Sequence, residues 1–220
     1  MTARKKKPSD EDLRKAVLAA ALPHAVFDGF TDKLLATAAK EAGIDKTTMT
    51  RLFPDGPLSL VEAFSQSADA EMEKAVAALD LENMKIRARI AAAVKARIAA
   101  LRPHKEAARR AVAFLSLPPH AAVGAKLVYR TVDAMWRAIG DTSTDFNFYT
   151  KRGILAAVYS STLLRWFSDT SADEGATEQF LADRIENVMQ FEKIKAKAKE
   201  AFDQLPPLSE IMSAFNVRRG

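Results

Sequence analysis

Apolar residues recur along this chain at intervals of three and four, the period of helices with one buried face. Leu13, Val17, Leu18, Ala21 and Leu22 form one such stripe, and Ile154, Leu155, Val158, Thr162, Leu163 and Trp166 form another. No run of alternating apolar and polar residues, the mark of a half-buried strand, is bounded by turn signals. The pattern predicts an all-α fold.

Start and stop signals divide it. Ser9, with Asp12 three residues on, caps a helix running to about Phe27, and Pro23 near its last turn is expected to kink or shorten it. Thr31 caps a second helix over about 32–42, ended by Gly43, and Asp45 a third over 46–52. Pro54-Asp55-Gly56-Pro57 breaks the chain. Further helices are expected at about 58–79, 84–101, 103–116, 120–139, 145–168 and 174–201, with Pro206-Pro207 setting off a short one over 208–215. The organisation read from this is a basic arm (1–8), a three-helix module (9–56), a helical bundle (57–203) and a tail (204–220).

Composition adds limits. The 220 residues are 48% hydrophobic, enough for one packed domain, with only 8 glycines and 9 prolines. There is no cysteine, which excludes disulfides, thiolate nucleophiles and cysteine metal sites and suits a reducing compartment. The net charge of +5 lies largely at the ends: Arg4 to Lys7, Lys193 to Lys199, and Arg218-Arg219. Basic ends bind nucleic acid or an anionic lipid surface, or are simply solvated. No stretch is apolar for the ~18 residues a membrane span needs, and the charged N-terminus lacks the apolar core of a secretory signal. The chain reads as bacterial and cytoplasmic, or as a processed eukaryotic protein.

Catalytic chemistry is not legible. His24, His104 and His120 stand alone, outside any Glu-x-x-His or His-x-x-x-His pair, so no metal site is expected. Neither glycine-rich phosphate motif occurs. The expectation is a non-enzyme with no cofactor.

The segment Gly29–Gly56, GFTDKLLATAAKEAGIDKTTMTRLFPDG, resembles the helix-turn-helix domain of TetR-family repressors at Gly29, Ala38-Ala39, Ala42-Gly43 and Phe53-Pro54. The reading surface departs from that family. Thr50 stands where tyrosine is usual, and Asp55 stands where a lysine usually follows the proline; an acid there would face phosphate. No nucleic acid is expected as a partner, and a ligand-responsive TetR-type repressor is the alternative reading.

The stretch Gly140–Phe167, GDTSTDFNFYTKRGILAAVYSSTLLRWF, is the most informative. Gly140 suits a helix end, Ser143 or Thr144 a cap, and Asp145 a first turn. Phe146, Phe148 and Tyr149 then crowd that turn among polar groups. They either point outward as a protein-binding patch or pack into the bundle end. Residues 140–152 resemble the signature of the COQ9 (Coq-nine) family, accessory proteins of ubiquinone biosynthesis, and Val132–Trp136, Leu155–Tyr159 and Phe180–Ile185 fit the same family. The resemblance implies a TetR-like fold that binds isoprenoid lipids, including quinone intermediates, and presents them to the di-iron demethoxyubiquinone hydroxylase. It implies a homodimer, and a partner patch of Met135, Asp145, Phe148 and Tyr149. Phe148 stands where the family often has tryptophan, keeping a flat apolar anchor without the indole donor. Candidate lipid-lining residues are Phe114, Leu117, Leu127, Val128, Val132, Leu155, Val158, Tyr159 and Leu163, with plain core packing the other reading of each.

In the tail, Leu208, Ile211, Met212 and Phe215 fall at i, i+3, i+4 and i+7, one face of a helix flanked by cations. Such a face docks on an anionic membrane, on the bundle or on a second copy. The resemblance favours membrane, placing the protein on the inner face of the cytoplasmic membrane, or on the matrix side in mitochondria. Phe215→Asp or Ile211→Asp is expected to abolish binding to anionic liposomes while the bundle stays folded. Equal liposome binding by wild type and either variant would refute the membrane role.

Overall fold

Nine α-helices make up the regular structure of the described residues, with no strand among them. The computed structural model describes residues 8–144 and 146–203. The basic arm, Asp145, and the tail with Leu208, Ile211, Met212 and Phe215 lie outside the described residues. The helices are α1 (Asp10–Asp28), α2 (Asp32–Glu41), α3 (Lys46–Leu52), α4 (Pro57–Ala77), α5 (Ile86–Leu101), α6 (Lys105–Leu115), α7 (Ala121–Ala138), α8 (Phe146–Ser168) and α9 (Gly175–Asp203).

The cap signals act where the sequence places them. The Ser9 hydroxyl accepts from the Asp12 amide while Asp12 accepts from the Ser9 amide, a reciprocal box that satisfies two otherwise free donors. Thr31 and Asp45 cap α2 and α3 through the amides of Leu34 and Thr48. Pro23 does not shorten α1, which continues to Asp28. Proline lacks one amide, and the apolar face on both sides of it (Val17, Leu18, Ala21, Leu22 and Ala25, all buried) holds the helix together past that gap. Pro103 starts a single 3-10 turn, Arg102–His104, rather than the first turn of α6.

α1 joins the two parts of the molecule. It packs on α2 and also on α4 and α6. Arg14 on α1 donates to the Leu52 carbonyl of α3 at 3.3 Å, and Phe30 meets Phe114 of α6 with ring centroids 6.4 Å apart. One continuous apolar core therefore runs from the helix-turn-helix module into the bundle.

α8 is the central strut. Leu155, Val158, Tyr159, Thr162, Leu163, Trp166 and Phe167 are all buried, between α7 on one side and α9 on the other. Its carboxyl end is met by cations from α6: Lys105 donates to the Asp169 carbonyl at 2.7 Å, and Arg109 donates to the Phe167 carbonyl. Both complement the negative end of the helix dipole. The Trp166 ring is fully buried, and its Nε1–H donates to Glu174 at 2.7 Å. Glu174 also accepts from Arg102, which holds its carboxyl below the usual range against the upward push of burial. It adopts φ +54°, a left-handed conformation costly for a side chain, so its two bonds stabilise a strained turn into α9.

Trp166→Phe removes one hydrogen bond to a charged acceptor and leaves a void. It is expected to cost about 2–4 kcal/mol in urea unfolding, with helicity unchanged at room temperature. An unaltered midpoint would show that the bond contributes nothing.

Candidate functional site

The signature stretch wraps a buried cation. Gly140 follows α7 with φ +88°, a conformation that costs glycine least, and turns the chain sharply. The turn brings Asp141 back over Arg152, one turn and a half into α8. Arg152 is 2% exposed; its Nε donates to Asp133 of α7 at 2.7 Å. Its Nη1 donates to Asp141 and to the Phe148 carbonyl, each at 3.2 Å. Asp141 accepts also from Lys151 at 2.8 Å and from the Ser143 hydroxyl at 2.8 Å. Burial pushes the Asp141 carboxyl up, but the hydrogen bonds from Lys151, Ser143 and Arg152 outweigh it and bring it down to about 2.

Stacked on this network are the aromatics. The Arg152 guanidinium carbon lies 3.4 Å from the Phe148 ring centroid, and Phe148 meets Tyr149 edge to face at 5.1 Å. Phe148 is half-buried; Tyr149 is 67% exposed. On the other side, Lys151 sits 5.3 Å over the Trp136 ring, whose Nε1–H donates to the Lys151 carbonyl at 3.2 Å. Met135 is fully buried and belongs to the core, not to a surface patch: its position on α7 turns it inward, beneath the network.

Two apolar cavities flank α8. One, of about 290 Å³, lies beside the signature between α5, α8 and α9. Its walls are Ile86 and Ile90 of α5, Trp136 of α7, Ile154, Leu155 and Val158 of α8, and Ile185, Val188 and Met189 of α9, with Arg87 and Lys151 among the lining residues. The other, of about 80 Å³, lies between α4, α5, α6, α7 and α8 and includes Leu127, Val128, Tyr159 and Leu163. Burial raises the Tyr159 phenol, which therefore stays neutral.

The nine lining candidates thus divide. Leu155 and Val158 face the larger cavity; Leu127, Val128, Tyr159 and Leu163 face the smaller. Val132 is fully buried and lines neither; it is plain core. Phe114 also lines neither and stacks on His120 at 4.3 Å. Leu117 is half exposed in the α6–α7 turn, because the double proline that follows ends the helix before it can turn inward. The α5 and α9 walls escaped sequence reasoning. Ile86 and Ile90 at i, i+4, and Ile185, Val188 and Met189 at i, i+3, i+4, were the available signal.

Among the described residues, no three His, Asp or Glu side chains gather as metal ligands would. At the helix-turn-helix, Arg51 of α3 is paired with Asp10 of α1 at the surface. No helix of the described residues is long and apolar enough to cross a membrane.

Arg152 and Asp141 generate a pH test. The Asp141 carboxyl is depressed, so its stabilisation is present above its ordinary value near 3.8 and is lost as pH falls toward about 2. Between those values the unfolding midpoint of the wild type is expected to fall more steeply than that of Asp141→Asn. Parallel slopes would show that the carboxylate is not held by its partners.

Comparison with known proteins follows from this geometry. The COQ9 family model matches residues 121–192, the segment that holds α7, the network and α8. The chain is 32% identical over 187 residues to the human protein named "Ubiquinone biosynthesis protein COQ9, mitochondrial", covering 82% of this chain and 59% of that one. It is 26% identical over 197 residues to "Probable ubiquinone biosynthesis protein coq9, mitochondrial" of Dictyostelium discoideum, covering 86% and 64%. The chain therefore spans about three fifths of the length of these curated relatives. Among solved structures it is similar to a TetR transcriptional regulator from Nitrosomonas europaea, with a TM-score of 0.62 and 20% identity over 79% of this chain and 96% of the other, a likeness of fold alone. Fold, signature and relatives agree: residues 121–192 match the COQ9 family model, and the chain is similar to COQ9 proteins over 82% of its length.

Proposed function

We propose that this protein is a non-catalytic accessory protein of ubiquinone biosynthesis that binds an isoprenoid or quinone lipid and presents it to the di-iron demethoxyubiquinone hydroxylase at a membrane surface. The observation that carries the reading is the 290 Å³ apolar cavity, which lies against the signature and shares α8 with the exposed Tyr149. Its volume is at the lower end of small-molecule sites, its wall is mostly apolar, and it includes cations at Arg87 and Lys151. An apolar chain gains from such a wall without any catalytic group being needed.

The two halves of the proposal use different surfaces. The cavity holds the lipid. Tyr149 and the edge of Phe148 form a flat apolar anchor whose orientation the buried Arg152 maintains, as a partner-binding hot spot requires. The names of the relatives tie the pathway to ubiquinone and the compartment, in eukaryotes, to mitochondria. A second copy of the chain would cover the exposed Leu164 of α8 and Phe191 and Ile194 of α9.

Native mass spectrometry of the purified protein, followed by organic extraction, is expected to release an isoprenoid quinone or another lipid. Val158→Trp, which fills the larger cavity from α8, is expected to reduce that yield at least several-fold. Tyr149→Ala is expected to weaken pull-down of the hydroxylase without loss of helicity. Protein free of lipid, or a pull-down unchanged by the tyrosine variant, would overturn the corresponding half.

A further inference from the structure

The smaller cavity contains a polar feature that neither the signature nor the lipid reading uses. Arg97 of α5 lies in its wall and is 3% exposed. Its Nε donates to Asp69 of α4 at 2.7 Å. Its Nη2 donates to the Ser65 carbonyl at 3.1 Å and to the Ser65 hydroxyl at 3.2 Å. Nη1 is buried and has no hydrogen-bond partner, alone in this among buried side-chain nitrogens and oxygens of the described residues. Tyr159, 3% exposed, lies in the same wall. An unsatisfied buried guanidinium donor costs more than an ordinary hydrogen bond contributes, so this one calls for an acceptor.

Charge decides which acceptor. The Arg97 cation is already balanced by the Asp69 carboxylate, which the Thr131 hydroxyl fixes from α7 at 2.9 Å. An anionic group entering here would lose its hydration and meet a pair with no net charge to offset that loss. A neutral carbonyl or ether oxygen loses far less and completes the guanidinium. Size decides how much of a ligand enters. At about 80 Å³ the cavity is roughly half the ~150 Å³ that accommodates a benzene ring, so it takes the end of a molecule.

We propose that this cavity is a second ligand site, in which Arg97 and Tyr159 bind the neutral oxygen-bearing end of an apolar chain, an ester or ketone carbonyl, and discriminate against carboxylates and phosphates. No lining residue is common to the two cavities, so the site stands whether or not the larger one carries a lipid. Arg97 is a binding residue here; Asp69 and Thr131 are positioning residues that hold its charge in balance.

Three probes test it on the full chain: methyl hexanoate, 2-octanone and hexanoate. The readouts are the Arg97 Nε–H resonance for this site and the Trp136 indole resonance for the other. Saturable shifts of the Arg97 signal by methyl hexanoate or 2-octanone are expected, with hexanoate at least about tenfold weaker than its methyl ester. Which neutral probe binds distinguishes an ester from a ketone as the source of the carbonyl. Asp69→Leu/Arg97→Met removes both charges together, a change that buried pairs often tolerate, and is expected to lower ester affinity, read in both proteins on the Tyr159 ring signals, about tenfold with helicity retained. Hexanoate binding as tightly as its ester would overturn the proposal, as would shifts confined to Trp136, full affinity in a folded double variant, or no binding by either neutral probe. Should the double variant not fold, the Arg97 signal of the wild type still decides the outcome.

Discussion

The buried guanidinium of Arg152 is the constraint on which the candidate site depends. It is a full charge removed from water, and it exists in the core only because Asp133 of α7 and Asp141 of the connecting turn both meet it. Such a triad adds little net stability over apolar packing. What it adds is geometry. With one acid on α7 and one on the turn, α8 can begin in only one register relative to α7 without stranding a buried charge. The aromatic pair at the head of α8, and the wall of the larger cavity one and two turns further on, inherit that register.

The same logic recurs at the other end of α8. Lys105 and Arg109 reach across from α6 to its terminal carbonyls, and Trp166 is held by Glu174 in a strained left-handed turn. The central helix is thus fixed by polar contacts at both ends and by apolar contacts between. Two cavities lie along its flanks, and they differ in chemistry. The larger is mostly apolar and includes cations; the smaller is built around a charge-balanced arginine.

The helix-turn-helix module shows how a fold can persist while its surface changes. Its caps, its glycine turn with φ +66° at Gly43 and its core around Leu34, Ala38, Met49 and Leu52 are all in place. On α3 the arginine pairs with Asp10 at the surface, and Asp45 and Asp55 place acids at either end of the helix. α1 grips α3 and passes on into the bundle, so the module now serves as one end of a continuous core.

Local signals sufficed for the helices and most of their ends, because a cap or a left-handed glycine acts on its own few neighbours. Ser9, Thr31, Asp45 and Gly140 could be read for that reason, whereas Pro23 does not end α1 early because packing on both sides of it outweighs its local cost. The aromatic signature could be read as a candidate patch for the same reason of proximity. Its outward member could not: Met135 and Tyr149 look equally available in sequence, yet one is fully buried and the other largely exposed. The cavities were the least legible. Their walls come from six helices, and whether an apolar residue faces a void or a neighbour depends on how far apart those helices stand. Arg97 is the extreme case. In sequence it is one more cation on an alanine-rich helix, and only the approach of Asp69 from α4, 28 residues away, makes it a buried, balanced and incompletely bonded group. Sequence alone determined the helical fold and its signature; tertiary structure decided which of those residues face a cavity, because that depends on distances between helices that no local rule encodes.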